Sequence, residues 1–418
     1  MEMKVHKFGG ASIKDAEGVR RIANIIGTFA DDALVIVSAM GKTTNLLEKV
    51  VKQHYIGETE KSFALLSECK ERHISIMGEL FPADHPVHDE VNNLFVELEW
   101  TIEDPAREEY DYNYDQIVSY GELISSRIVS AFLEEQNWTH SWLDARDIVK
   151  TDNRHRDARI DWPLCQQQAS RYIKRGQCYL SQGYIGCTSE NFNTTLGREG
   201  SDYSAAIFAY LLDAEEVCIW KDVPGLMNAD PNEFEESTLL EEVSFAEAIE
   251  LAFFGAKVIH PKTIQPLKEK NIPLRVKSFI APQAQGSTIQ SGSRQHPEVP
   301  SYIVKHDQVL INIAARDLSF IAEQHMSSIF ATLAQHGFRV NMMQNSAVSF
   351  SVVTDDDELK LPKLVSELGA HFEVQAQGGL SLYTVRHYAD KWKHLLEGRK
   401  VLLEQRTPET LQLLLSEA

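Results

Sequence analysis

Short continuous apolar runs alternate, up to about residue 290, with stretches whose apolar residues recur every three or four positions. Met3 to Phe8 reads as a strand ending in Gly9-Gly10-Ala11-Ser12, and Val19, Ile22, Ile25 and Ile26 mark one face of a helix from Asp15 to Phe29. Ala33 to Val37 is apolar throughout, as a parallel strand buried on both faces should be, and it breaks at Ser38-Ala39-Met40-Gly41 before a helix through Leu46, Leu47 and Val50. Helical patterns fill Glu58 to Trp100, interrupted near Phe81-Pro82 and Pro86, and a clearer helix spans Gln116 to Gln136. Then come a strand from Trp142 to Val149, a helix from Trp162 to Lys174, a strand from Gln177 to Gln182 and a helix from Tyr203 to Leu212. The strand Glu216 to Trp220 and the helix Ser244 to Phe254 continue the alternation. Such a pattern predicts an α/β fold, a doubly wound and mainly parallel sheet with its loops gathered at the strand ends.

The pattern changes after the polar, glycine- and proline-punctuated stretch Ser287 to Pro300, which reads as a linker. Beyond it a strand (Gln308 to Ala314), a helix (Ile321 to His336) and paired strands (Arg339 to Met343, Val348 to Thr354) lead to a helix (Leu359 to Leu368) and a strand (Phe372 to Gln377). That order is a βαββαβ unit. The tail repeats part of it: a strand Leu380 to Val385, a helix Asp390 to Leu396 and apolar runs at Val401 to Leu403 and Leu411 to Leu415. Being too short for a full copy, it is expected to complete its sheet by pairing across a dimer.

Composition narrows the partners. A formal net charge of -20 over 418 residues repels nucleic acid and anionic membrane surfaces, while leaving room for a local basic pocket that takes a small anion. No apolar run approaches the roughly 20 residues of a bilayer span, and Met1-Glu2-Met3-Lys4 is no apolar leader, so a cytoplasmic location is expected. Cys69, Cys165, Cys178, Cys187 and Cys218 are scattered without a Cys-x-x-Cys pair, which argues against a disulfide framework or a thiolate zinc site. Small molecules or protein are the partners that remain.

Candidate chemistry sits at the strand-to-helix turns. In Thr194 to Ala206, Gly197 and Gly200 allow close backbone approach, Arg198 offers a planar fork for a carboxylate or phosphate, and the helix opening near Ser201 and Asp202 offers free N–H groups. The same residues also suit an ordinary capped loop. Lys7, at the end of the first strand, either serves the diglycine turn Gly9-Gly10, whose N–H groups suit phosphate oxygens, or is an ordinary solvated surface lysine. Lys42-Thr43 after Gly41 is not a Walker loop, because Ile36 occupies the first glycine position; Thr44 and its neighbours either bind a polar ligand or cap a helix. Glu122, in Ser119-Tyr120-Gly121-Glu122, either holds an ammonium group or favours the helix dipole. Asp222, after the strand that ends at Trp220, suits a ribose hydroxyl or simply a turn, and Lys257 is a second cation for a nucleotide phosphate.

Lys7-Phe8-Gly9-Gly10-Ala11-Ser12, Ser119 to Ser126, Thr194 to Tyr203, Lys221-Asp222-Val223-Pro224-Gly225 and Phe253 to Pro261, in this order, resemble the aspartate kinases, and the resemblance runs from end to end. It implies an amino-acid-kinase αβα sandwich over residues 1–290, a first ferredoxin-like ACT regulatory unit over 301–378 and a partial second one over 379–418. The implied reaction is phosphorylation of the β-carboxylate of L-aspartate by MgATP, the first step toward lysine, threonine and methionine. Lys7 and Asp202 are the implied catalytic residues; Thr44, Glu122, Arg198 and Ser201 hold the substrate, and Lys7, Gly9, Gly10, Lys221, Asp222, Met227 and Lys257 the nucleotide. Lys221, Met227 and Asn232 depart from the family pattern on the nucleotide side. The family also implies Mg2+, a homodimer through the ACT region and an amino-acid effector there. Its lysine-inhibited members hold the effector's ammonium groups with acids, where this chain has Asn341 and Ala347, so weak or absent lysine inhibition is expected. No homoserine dehydrogenase domain is expected after Ala418. Another amino-acid kinase, or a non-catalytic amino-acid sensor, is the alternative, though a sensor has little reason to keep Lys7, Arg198 and Asp202 together.

Overall fold

A computed structural model of the chain describes residues 3–29, 32–256, 259–317 and 320–417. It divides into two compact units: one of Met1–Leu226, Leu239–Ile249 and Lys257–Pro297, the other of Met227–Thr238, Glu250–Ala256 and Glu298–Ala418.

The first unit is built on an eight-stranded sheet. Its strands begin with β1 (Lys4–Phe8) and β2 (Ala33–Val37); between and after them lie α1 (Ala16–Ile26), α2 (Thr43–Tyr55), α3 (Thr59–Leu80), α4 (Val87–Glu103), α5 (Tyr110–Val118) and α6 (Tyr120–Glu135). There follow β3 (Ser141–Leu143), α7 (Ala145–Ile148), α8 (Trp162–Tyr172), β4 (Tyr179–Gln182), the small ribbon β5 (Ile185–Cys187) and β6 (Asn193–Thr195), and α9 (Gly200–Leu212). β7 (Glu216–Lys221), β8 (Glu242–Ser244), α10 (Phe245–Phe254), α11 (Pro261–Lys270), β9 (Leu274–Ser278) and β10 (Ser287–Gln290) complete the sequence. The strand order is β3-β4-β2-β1-β7-β9-β10-β8, parallel throughout except for the β9–β10 pair. All five residues of β2 are buried, as a strand covered on both faces requires. α9 packs on β1, β2 and β7, and its run Ala205-Ala206-Ile207-Phe208-Ala209 is fully buried, the alanines letting the helix axis lie close to the sheet.

Three sequence expectations change here. The strand from Trp142 stops at Leu143, because Asp144 accepts a hydrogen bond from the Arg146 N–H at 2.9 Å and so caps the helical turn α7. The helix from Gln116 is two helices meeting at Ser119, and the first begins as early as Tyr110. Ser287–Gln290 is a strand rather than linker: Ser287 and Ile289 point inward while Thr288 and Gln290 are half-buried, a period of two too short to stand out from its polar surroundings.

In the second unit, β11 (Ser301–Ala314), α12 (Glu323–Gln335), β12 (Val340–Asn345), β13 (Ser349–Asp355), α13 (Leu361–Gly369), β14 (Glu373–Arg386), a 3-10 segment (Asp390–Leu396), β15 (Arg399–Arg406) and β16 (Thr410–Glu417) form one antiparallel sheet of order β12-β13-β11-β14-β16-β15. β11 and β14 run side by side along most of their lengths, with register shifts at Lys305/Gln308 and Gln308/Leu310. The two strands read around Gly378-Gly379 are therefore one. The Ser301–Lys305 end of β11 pairs with Leu382–Arg386 of β14, so the tail's half of the sheet receives an extra strand from this same chain. α12 and α13 bury Ile329, Leu333, Leu364 and Leu368 against Val309, Ile311, Ile313, Phe350 and Val352.

Ile311 is fully buried in that core, so Ile311→Ala should cost about 2–5 kcal/mol through lost transfer energy and a residual cavity. Urea unfolding of wild type and variant measures it, and a loss well under about 1 kcal/mol would show that the helices do not depend on this packing.

Candidate active site

The C-terminal ends of β1, β2 and β7, the first turn of α9 and the starts of α2 and α6 surround a cleft of about 510 Å³. Ion pairing organises its floor. Lys7 Nζ lies 2.6 Å from Asp202 Oδ1, and Lys221 Nζ lies 3.4 Å from Asp202 Oδ2. Lys7 and Asp202 are both buried. Burial alone would raise the Asp202 pKa; the charges of Lys7 and Lys221 overcome it and hold the carboxyl below its usual range. Two lysines on one carboxylate leave positive charge in excess, which suits phosphate oxygens.

The diglycine turn is set by contact. A Cβ at Gly10 would stand 2.5 Å from the Ala39 carbonyl oxygen, so the β1 and β2 turns touch backbone to backbone, and a Cβ at Gly9 would reach 3.4 Å from Lys7 Nζ. The opposite wall is the Gly197–Ser201 loop. Gly197 adopts φ +80, and Glu199 precedes α9 in a left-handed conformation at φ 54. Buried Asp115 fixes the approach to it: its carboxylate accepts from Thr195 Oγ1 at 2.6 Å, from the Thr195 and Arg156 backbone N–H groups at 3.0 Å each, and from His155 Nδ1 at 3.0 Å.

Glu122 is the unusual group. One carboxylate oxygen accepts from the Ala39 N–H at 3.2 Å; the other, Oε2, is buried with no hydrogen-bond partner. Burial pushes its pKa up to about 8, against the lowering effects of that hydrogen bond and of the Lys7 charge. A buried acid with an idle oxygen facing a cleft fits a cationic ligand group.

Lys7, Gly10, Thr44, Glu122, Arg198, Ser201, Asp202 and Lys221 thus line one cleft, with Gly9 beside Lys7. Arg198 is exposed and makes no ion pair or hydrogen bond among the described residues. Asp222 directly follows β7 and is exposed, outside the cleft's lining; Met227 belongs to the second compact unit; Lys257 lies outside the described residues. Among the described residues no group of three or more His, Cys, Asp or Glu side chains could hold a metal, and no helix is long and apolar enough to cross a membrane. All five cysteines are buried.

Residues 2–278 match the amino acid kinase family. The chain is 32% identical over 396 residues to lysine-sensitive aspartokinase 3 of Escherichia coli (strain K12), covering 91% of this chain and 86% of that protein. It is also 32% identical to the chloroplastic aspartokinase 2 of Arabidopsis thaliana, over 87% of this chain and 69% of the other. The solved structure of E. coli aspartokinase III with aspartate and ADP superposes with a TM-score of 0.83 at 28% identity, over 99% of this chain and 96% of that one. The chain belongs to the amino acid kinase family, among the aspartokinases.

Sequence reasoning passed over Glu48, Tyr114, Arg156 and Tyr184, which this aspartokinase adds to the cleft wall. Tyr114 donates to Glu48 Oε1 at 2.7 Å and lies 3.2 Å from the Tyr184 hydroxyl, and the Arg156 guanidinium, 3.0 Å from Asp111, sits 4.6 Å from the Tyr114 ring centroid. The four-residue spacing of Tyr110, Tyr114 and Val118 on α5 was the available signal.

The Glu122 pKa gives a test with a definite sign. Folding takes up a proton between the usual value near 4.5 and about 8, so this group's contribution to stability falls as pH rises through that window. Glu122→Gln should therefore gain stability relative to the ligand-free wild type between pH 5.5 and pH 8. Urea midpoints at the two pH values report the change, and a constant difference contradicts the account.

Proposed function

We propose that the protein transfers the γ-phosphoryl group of ATP to the β-carboxylate of L-aspartate. The observation that carries this reading is the idle, buried Glu122 oxygen in the same cleft as Lys7, Lys221 and Arg198, since aspartate presents one ammonium and two carboxylates. Glu122 takes the α-ammonium, Arg198 the α-carboxylate, and Thr44 and Ser201 donate hydrogen bonds around it. The attacking carboxylate, with a reference pKa of ~3.9, is already ionised at neutral pH and requires no general base. What the transfer requires is alignment and neutralisation of the charge that builds on the phosphoryl oxygens. Lys7, Lys221 and the N–H groups of Gly9 and Gly10 supply that, with Asp202 keeping both ammonium groups in position. Asp222 and Lys257 complete the nucleotide side.

Magnesium enters as part of MgATP; among the described residues no cluster of three or more His, Cys, Asp or Glu forms a cage for it. We further assign residues 1–290 to catalysis and residues 301–378 and 379–418 to ACT-type regulation. The working form is a cytoplasmic homodimer acting at the head of aspartate-family amino-acid synthesis.

Lys7→Met should lower kcat by roughly 10²–10³, the scale of losing a transition-state donor, and Arg198→Ala should act mainly on the KM for aspartate. ADP release coupled to acyl phosphate trapping by hydroxylamine, with aspartate and glutamate compared, measures both. Equal turnover of glutamate, or unchanged rates in Lys7→Met, contradicts the reading.

Regulation follows from Asn341. Its Oδ1 accepts from Lys305 Nζ at 2.9 Å and its amide donates to Gln308 Oε1 and Asp355 Oδ1 at 2.8 Å each, and the Asp355 carboxylate beside it is already answered by this amide, by Gln308 Nε2 at 2.9 Å and by the Lys305 charge. An effector ammonium there forgoes a charge-assisted bond, on the order of 1.5–3 kcal/mol. Titrating the purified enzyme with L-lysine should leave activity unchanged in the micromolar range; strong inhibition in that range refutes the assignment.

A further inference from the structure

The strands that carry the catalytic lysines present a second cavity on the opposite face of the sheet. Alternation along β1, β7 and β9 sends Lys7 and Lys221 toward α9 and sends His6, Trp220 and Lys277 the other way. There, between α1 and the segment Phe279–Gln283, lies a cavity of about 680 Å³, ample for a small metabolite.

Its floor is aromatic and uncharged. Phe29 stacks on His6 with ring centroids 3.8 Å apart, Trp220 lies 6.5 Å from Phe29, and Trp220 Nε1 donates to His6 Nδ1 at 3.4 Å. Burial drives the His6 pKa down to about 3, so the imidazole is neutral.

Its rim is charged, and most of those charges are answered by neighbours. Lys4 pairs with Glu215 and Glu216, Arg275 approaches Glu216 at 3.8 Å, and Arg21 pairs with Glu17. Two are not. Asp32 is only 4% exposed and its Oδ1 has no hydrogen-bond partner; Lys277 has no carboxylate partner among the described residues and rests 5.3 Å from the Trp220 ring. A buried, unpaired carboxylate oxygen is costly and calls for a donor from outside the chain.

We propose that this cavity binds a zwitterion carrying a planar ring, an aromatic α-amino acid whose ring lies on Phe29 and Trp220, its ammonium on Asp32 and its carboxylate on Lys277. A mononucleotide fits less well, because its phosphate needs more than the single unanswered cation present. The site is independent of the kinase reading, since it lies on the other face of the sheet and is tested without ATP.

Isothermal titration of the full chain with L-tryptophan, tryptamine, indole-3-propionate, indole and AMP tests it. L-tryptophan should bind saturably, and tryptamine and indole-3-propionate, each lacking one charge, roughly tenfold or more weaker. Lys277→Met and Asp32→Asn should weaken L-tryptophan to a similar degree, Lys277→Met with the urea midpoint of the ligand-free protein unchanged and Asp32→Asn with it unchanged or raised, since the amide removes a costly buried charge. Absence of saturable L-tryptophan binding overturns the proposal. So does indole binding as tightly as L-tryptophan, or AMP binding more tightly; the ligand series decides even where a variant fails to fold.

Discussion

Asp202 is the constraint on which the first unit turns. A carboxylate buried this deeply is stable as an anion only with cations beside it, and it has two, one from each of the neighbouring central strands β1 and β7. The requirement runs backward into the fold: the parallel pairing of β1 with β7 sets the lysines' starting points, and the buried, alanine-rich α9 brings the carboxylate down between them. Excess positive charge at this point is thus a product of sheet register and helix packing rather than of a flexible loop.

The rest of the cleft keeps its charges deliberately unequal. Glu122 has an oxygen to spare and Arg198 has no partner among the described residues, whereas Asp115 uses its full capacity to hold the Gly197 loop and so shapes the site without facing it. The contrast distinguishes the two buried acids. One is spent on architecture, and the other keeps a buried oxygen with no hydrogen-bond partner.

How much of this the sequence disclosed depended on signal length. β2 was legible because its five apolar residues can be little else, and α9 because glycines and an arginine run into an unbroken apolar helix. β10 was hidden because four residues give too little periodicity, and β14 because Gly378-Gly379, a bulge with Gly379 at φ 71, looks like a turn in sequence while the pairing with β11 resumes on either side of it. At the site, Lys7, Glu122, Arg198 and Asp202 were legible through the glycines and helix starts beside them. Tyr114 and Arg156 were not. The spacing of Tyr110, Tyr114 and Val118 marks a helix face without saying what it meets, which follows from the packing of α5 on β6. Arg156 reaches the cleft through a left-handed backbone at φ 63 that leaves no local mark.

The paired long strands of the second unit have a mechanical consequence. Because β11 and β14 each pass through both halves of that sheet, neither half can rotate about the other without shearing the rails they share, and the register shifts near Gln308 mark the one stretch where those rails yield. Anything that twists one half is therefore felt as torsion in the other, and the pair works as a single torsion bar in place of two modules on a hinge.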